Sequence, residues 1–345
     1  MTEVLMGCFG TTSRPEGIYS ATLDDEGIQN VRLLAETHRP SWVIASQDTV
    51  YVANEVVDST DGGSVSTFRR DPQTGELSLM GSSSTLGGAP CHLSFSIVHR
   101  SLVVANYSGS VSVHSVARGG FAERARQVIR FTGSGPRPDR QSQPHPHMIA
   151  IDETSGTVWV PDLGCDTVRA LRWDESGRLA EHTLLDIQTP AGSGPRHLGF
   201  VADLLAVVGE LDSSITFFRK GENGFGQQAH LPTQCHRDCL NAPAAIAVVD
   251  SSTVCVSNRG CDVITTFDIN ATNSTFKASD RHIPSGGPGP RDLAYVSSQG
   301  ALLIANKEGD SVERLDWATQ SSRGRASAPH PVCFARTITG ELALF

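Results

Sequence analysis

The chain has 345 residues, of which 39% are hydrophobic and 19% charged, with 33 glycines, a composition typical of a globular protein and too polar for a membrane-embedded one. Its 28 basic and 37 acidic residues give a net charge of −9 without any Lys/Arg run, which argues against nucleic acid or an anionic membrane as partner and favours a small molecule. No segment approaches the roughly 18 to 20 apolar residues of a membrane-spanning helix, and the start lacks the charged-then-apolar plan of a signal peptide. A cytoplasmic location is therefore expected, with the eight scattered cysteines reduced.

Taken in chain order, residues 4–9 and 17–23 read as two strands. A short pattern then recurs: a proline, two variable residues and an apolar run. It opens at Pro40, Pro90, Pro146, Pro195, Pro243, Pro290 and Pro331, with successive spacings of 50, 56, 49, 48, 47 and 41 residues. That period belongs to four-stranded propeller blades and exceeds those of ankyrin, tetratricopeptide or leucine-rich repeats. After each of the first six prolines comes a second apolar run ending in a small or polar residue: 50–54, 102–106, 158–162, 205–210, 254–258 and 302–306. A third run follows a turn residue: 64–68, 110–113, 166–173, 213–218, 262–267 and 310–315. Period-2 patterning, β-branched enrichment and Gly/Asn/Asp punctuation mark antiparallel strands, and runs this short leave no room for helices of about 10 residues.

The seventh proline lacks the runs that should follow it, and these are the two at the N-terminus. The expected fold is all-β, a seven-bladed propeller over residues 1–345 as one domain, its ring closed by N-terminal strands pairing with the strand after Pro331. The tail 341–345 is a competitor for the same slot.

In such a blade the start of the innermost strand and the end of the second face one mouth of the central channel. The strand-start positions are Ser41, Cys91, His147, Arg196, Ala244, Arg291 and Val332; the strand-end positions are Glu55, Tyr107, Leu163, Glu210, Arg259 and Lys307. An imidazole, three guanidiniums, two carboxylates and an ammonium thus point at one concavity, an arrangement suited to binding an anion and stabilising a developing oxyanion. For any one arginine, a structural ion pair is an equally good reading. The two histidines of residues 143–147 (QPHPH) have no obvious further zinc ligands. Residues 235–239 (CHRDC) read as an insertion between blades, and the GSGP and GGPGP stretches as turns.

The segments GSGPRHLGF, VVGELDSSITFF, VSNRGCDVITTF, PHPHMIAIDETSGTVWVPDLGCDTV and GGPGPRDLAY resemble the lactonase family of seven-bladed propellers. This family comprises bacterial-type 6-phosphogluconolactonases and fungal carboxy-cis,cis-muconate cyclases. The resemblance covers essentially the whole chain. It implies a metal-independent, cofactor-free site built from His147, Arg196, Glu210 and Arg259 as catalytic groups. Beside these, Arg291, His145, His197 and Lys307 are candidate substrate-binding groups. It implies hydrolysis of an anionic sugar lactone such as 6-phosphogluconolactone, or cycloisomerisation of a carboxylated muconate at the same site. A non-catalytic binding scaffold is the alternative from another class. One position departs from the family: its usual Asn before the glutamate is Gly209 here, which would remove a polar group beside the carboxylate.

Overall fold

The computed structural model describes residues 2–56, 62–222, 224–233, 240–279, 282–340 and 343. Seven antiparallel sheets are arranged as the blades of a propeller, and the described residues contain no α-helix. Blades 1 to 6 open at the first six repeat prolines. Blade 1 comprises Pro40–Ala45, Thr49–Asn54, Ser64–Arg70 and Leu77–Ser84; blade 4 comprises Pro195–Val201, Leu204–Gly209, Ser214–Gly221 and Gly224–Pro232. Blade 7 joins the two ends of the sequence. Pro331–Phe334 is innermost, Thr2–Cys8 pairs antiparallel with it, and Gly17–Asp24 and Gly27–Glu36 complete the sheet. The second-strand slot is therefore filled by Thr2–Cys8. Beyond Phe334, Arg336–Thr337 adds to blade 1 as a parallel fifth strand beside Ile44 and Ala45. Of the tail 341–345, only Ala343 is among the described residues, and its N–H donates to the Ala335 carbonyl.

The repeating prolines and asparagines have a common cause. Proline has no N–H to give a ladder, so it is tolerated at the first residue of a strand, where no partner needs one. In five blades the proline faces the end of the second strand: Asn54, Asn106 and Asn306 as its last residue, Asn258 one residue before it, and Gly209 in blade 4. These asparagines are buried, and their amides tie neighbouring turns, as in Asn306 Nδ2 to the Ser285 carbonyl at 2.8 Å. In blade 3 the pattern weakens. Residues 144–147 alternate two prolines with two histidines, and the strand is reduced to a Pro146–Asp162 bridge before Ala150–Asp152. His145 N–H bonds the Asp162 carboxylate instead.

At the start of five innermost strands the register shifts: Pro40/Trp42, Pro90/His92, Pro195/Leu198, Pro243/Ile246 and Pro290/Asp292. Such a bulge sets two residues against one and re-aims side chains that strict alternation would send apart. Blades pack on one another through apolar faces, for example Phe217 of blade 4 against Phe267 and Phe276 of blade 5, with ring centroids at 6.4 and 4.9 Å. A fully buried phenylalanine contributes roughly 1.5–3 kcal/mol. Five cysteines are free thiols, four of them buried, whereas Cys261 is disulfide-bonded, which corrects the expectation that every cysteine is reduced. The CHRDC segment lies outside the described residues. No helix among the described residues is long and apolar enough to cross a membrane.

Candidate active site

Glu210 follows the second strand of blade 4 and is 6% exposed. Three arginines converge on it. Arg196, at the start of the same blade's innermost strand, brings Nε to 2.9 Å from Oε2; Arg259, at the end of Thr253–Arg259 in blade 5, brings Nη2 to 2.8 Å from the same oxygen. Arg140, on the loop between blades 2 and 3, brings Nη2 to 2.7 Å from Oε1. The arginines are themselves anchored: Arg196 Nη1 donates to the Ala244 carbonyl at 2.6 Å and Arg259 Nε to the Ala242 carbonyl at 2.9 Å. Burial alone would raise the Glu210 carboxyl, but Arg259, Arg196, His147 and Arg140 together hold it well below the usual carboxylate range. Burial, and next to it the Arg259 charge, push Arg196 down to about 9 against the pull of Glu210. It is still a cation at neutral pH.

His147 is 8% exposed and borders this cluster, its ring edge-on to Tyr107 and His197 at 5.7 and 5.6 Å. Burial, then Arg196, depress its pKa well below the ordinary value, with Glu210 opposing, so the imidazole is neutral. Its Nδ1 is buried and has no hydrogen-bond partner. His197 is likewise held neutral, by burial first and Arg196 next, and its Nε2 lies 3.2 Å from Arg196 Nη1. His145 is turned away from the carboxylate: it stacks on Tyr107 at 4.2 Å with Nδ1 2.7 Å from the Tyr107 carbonyl. Arg291 lies over Phe9 at 5.6 Å, without a carboxylate partner among the described residues, and its charge is felt at His147 and Arg196. Lys307 pairs with its neighbour Glu308 at 3.1 Å and touches none of these groups.

The four sequence-identified groups His147, Arg196, Glu210 and Arg259 thus stand together. Arg140 completes the cluster and escaped the repeat reading because it lies outside every blade. Its signal was the spacing of 56 between Pro90 and Pro146, the longest in the chain, which marks an insertion at the mouth. Gly209 does not leave its neighbourhood apolar. A Cβ there would meet Asp212 Oδ1 at 2.5 Å and Ser214 Oγ at 2.6 Å, so those two side chains occupy the space of the asparagine found in other blades.

Below the mouth the channel is floored by stacked Trp42 and His92, ring centroids 4.0 Å apart, with Arg336 over Trp42 at 5.4 Å. Beneath that floor opens a cavity of about 980 Å³, lined by residues such as Ile97, Ile149, Phe200 and Val248. Volume favours the lower channel. Charge and the convergence of ionised groups favour the mouth, and chemistry follows the latter. Among the described residues, no group of three His, Cys, Asp or Glu side chains gathers to hold a metal ion.

Comparison with known proteins places the fold in a family. A family model described as Lactonase, 7-bladed beta-propeller, matches residues 3–334. The 6-phosphogluconolactonase of Bacillus subtilis strain 168 is 27% identical over 350 residues, covering 96% of this chain and 98% of that one. Among solved structures, the periplasmic gluconolactonase PpgL of Pseudomonas aeruginosa is 26% identical with a TM-score of 0.86, covering 97% of this chain and 98% of that one. A protein from Lactobacillus plantarum, 24% identical, superposes with a TM-score of 0.86 over 97% of this chain and 99% of its own, which shows the shared fold.

Proposed function

Because the chain belongs to the Lactonase family of 7-bladed β-propellers, we propose that it hydrolyses an anionic sugar lactone, with 6-phosphogluconolactone the leading candidate. The observation that carries this reading is the surplus of charge at the mouth: Arg140, Arg196 and Arg259 all contact one carboxylate, Glu210, while Arg291 stands nearby without a carboxylate partner among the described residues. Even with Glu55 counted beside Glu210, two anions among these four cations leave a net positive concavity. A phosphorylated lactone supplies the missing negative charge, and its carbonyl becomes an oxyanion when water adds.

The roles follow from the protonation states. A carboxylate gripped by three guanidiniums is a weak base, so Glu210 positions the arginines. His147 is neutral and borders the carboxylate cluster, which makes it the base that takes a proton from water. The charges of Arg196 and Arg291 depress its basicity in the free protein. A bound dianion offsets those charges and restores basicity at the moment it is needed. Arg196 and Arg259 then face the developing oxyanion, and ring opening gives the hydroxy acid. No covalent nucleophile is required because a strained lactone is already electrophilic.

The test is proton release followed by pH-stat on 6-phosphogluconolactone and glucono-1,5-lactone, alongside ultraviolet absorbance of a carboxylated muconate. Enzyme-dependent proton release, faster on the phosphorylated lactone, is expected. Loss of the muconate chromophore without lactone hydrolysis would instead identify the cycloisomerase chemistry, and inactivity on all three would favour a binding scaffold.

A further inference from the structure

The near-repetition of the blades places a second carboxylate at the mouth. In blade 4, Glu210 donates its backbone N–H to the carbonyl of Gly194, the residue before the strand-opening proline, at 3.0 Å. The same bond joins Tyr107 to Ala89 in blade 2, Leu163 to His145 in blade 3 and Lys307 to Gly289 in blade 6, at 2.9, 3.0 and 2.9 Å. In blade 1 it joins Glu55 to Arg39 at 2.9 Å. Glu55 therefore holds in blade 1 the position that Glu210 holds in blade 4. Three blades round a ring of seven is the far side of the channel.

The two carboxylates have opposite surroundings. Glu210 is contacted by three guanidiniums at 2.7–2.9 Å. The nearest cation to Glu55 is Arg39, whose Nη2 is 3.9 Å from Oε1, outside hydrogen-bonding distance, because its guanidinium lies over the Phe9 ring at 4.3 Å. Glu55 Oε2 is shielded from solvent and accepts no hydrogen bond. The side chain as a whole is 19% exposed, so the rest of the carboxylate reaches the mouth that holds the catalytic groups. Cys91 lies between them, donating its thiol to the carbonyls of Pro146 and His147 at 3.4 and 3.6 Å. Burial raises that thiol's pKa to about 12, and the charged groups acting on it are Glu55, Arg196 and Arg291 in that order.

A partly exposed carboxylate that takes no hydrogen bond from the described residues, opposite a wall of donors, is open to a donor from the ligand. We infer that Glu55 reads a hydroxyl group of the substrate. The site then takes polyhydroxylated, sugar-derived acids and lactones in preference to molecules whose polar groups are all anionic, since a carboxylate or phosphate beside Glu55 would meet a like charge. This rests on the lactonase reading for its chemistry, but binding alone tests it.

The experiment is calorimetric titration of the full chain, wild type, Glu55→Ala and Glu55→Gln, with 6-phosphogluconate and with 6-phosphohexanoate, which keeps both anionic ends and lacks the hydroxyls. Wild type should bind the hydroxylated ligand more tightly. Glu55→Ala should weaken it by roughly ten- to a hundredfold, the range of one hydrogen bond to a charged group, and leave 6-phosphohexanoate within about twofold. Glu55→Gln, which keeps a carbonyl acceptor, should recover most of the loss. Failure of the wild type to discriminate or to bind, no change in Glu55→Ala, or equal weakening of both ligands would overturn the assignment. Equal weakening would be the mark of a merely structural carboxylate. Absence of lactone hydrolysis with discrimination intact would remove the lactonase reading and leave Glu55 its role.

Discussion

Glu210 at the mouth and Asp292 in the floor are both buried carboxylates held by arginine, and they differ in stoichiometry. Asp292, 2% exposed, has one cation: Arg336 Nη2 reaches both of its oxygens at 3.0 Å, and the Phe334 N–H adds a third bond at 2.8 Å. Arg336 also donates to the carbonyls of Phe334 and Leu293. One cation answers one anion, and the pair presents no surplus charge to a ligand. Around Glu210 three cations share one anion, and the excess is unanswered. A balanced pair locks a structure; an unbalanced one recognises something that is not yet there.

The largest effect should come from unbalancing the floor. Arg336→Met leaves Asp292 as a buried charge without its cation and should cost about 3–5 kcal/mol in urea unfolding, while a second change, Asp292→Leu, should recover most of that loss. The folded fraction should retain lactone hydrolysis within a few-fold. A single variant as stable as wild type would break the comparison. Next in size, Arg196→Ala should lower kcat/KM by about 10²–10³, equivalent to roughly 2.7–4 kcal/mol. Its stability should fall less than that of Arg336→Met, because removing one of several mutually repelling cations relieves the cluster. Activity close to wild type would show that the surplus charge is not aimed at the reaction.

Taken ring by ring, the smallest effect concerns acid. His92, His147 and His197 are each depressed below the ordinary imidazole value of 6.5, with burial the first cause in all three. The unfolded chain then binds protons that the folded one refuses, so stability should fall as pH drops below about 6.5, by up to about 1.4 kcal/mol per unit of depression for each ring. Glu210 is also depressed, from an ordinary 4.5, so its contribution is complete above that value and is lost only in stronger acid. Unfolding in urea at pH 7.5 and 5.5 should show the histidine component, and His92→Phe, separated from Arg196 by the His197 ring, should remove one ring's share of it.

How far the sequence discloses this molecule depends on how strictly each feature obeys the strand rules. The prolines and asparagines are legible because ladder chemistry requires them at fixed places. The convergence of His147, Arg196, Glu210 and Arg259 is legible because strand order alone puts strand starts and second-strand ends at one mouth. Asp292 and Arg336 are not, since bulges at the strand starts break alternation and direct consecutive residues such as Arg196 and His197, or Arg291 and Asp292, to the channel. Lys307 shows the reverse limit: its position is as expected, but an adjacent Glu308 takes its charge, and only a side-chain contact could reveal that.

The closing blade gives the molecule a schedule. Met6 pairs with Phe334, Phe334 bonds Asp292, and Arg336 reaches over Trp42 directly beneath the site. Joining segments so distant in sequence adds little at equilibrium, since each doubling of a loop costs only about 0.6 kcal/mol, but contacts of this kind form slowly. During synthesis, at about 5–20 residues per second, five blades and part of a sixth can assemble while Asp292 still waits for its arginine. The chamber that holds the reacting groups acquires its floor only when residues 331–336 arrive, so competence for chemistry is withheld until the ring has shut.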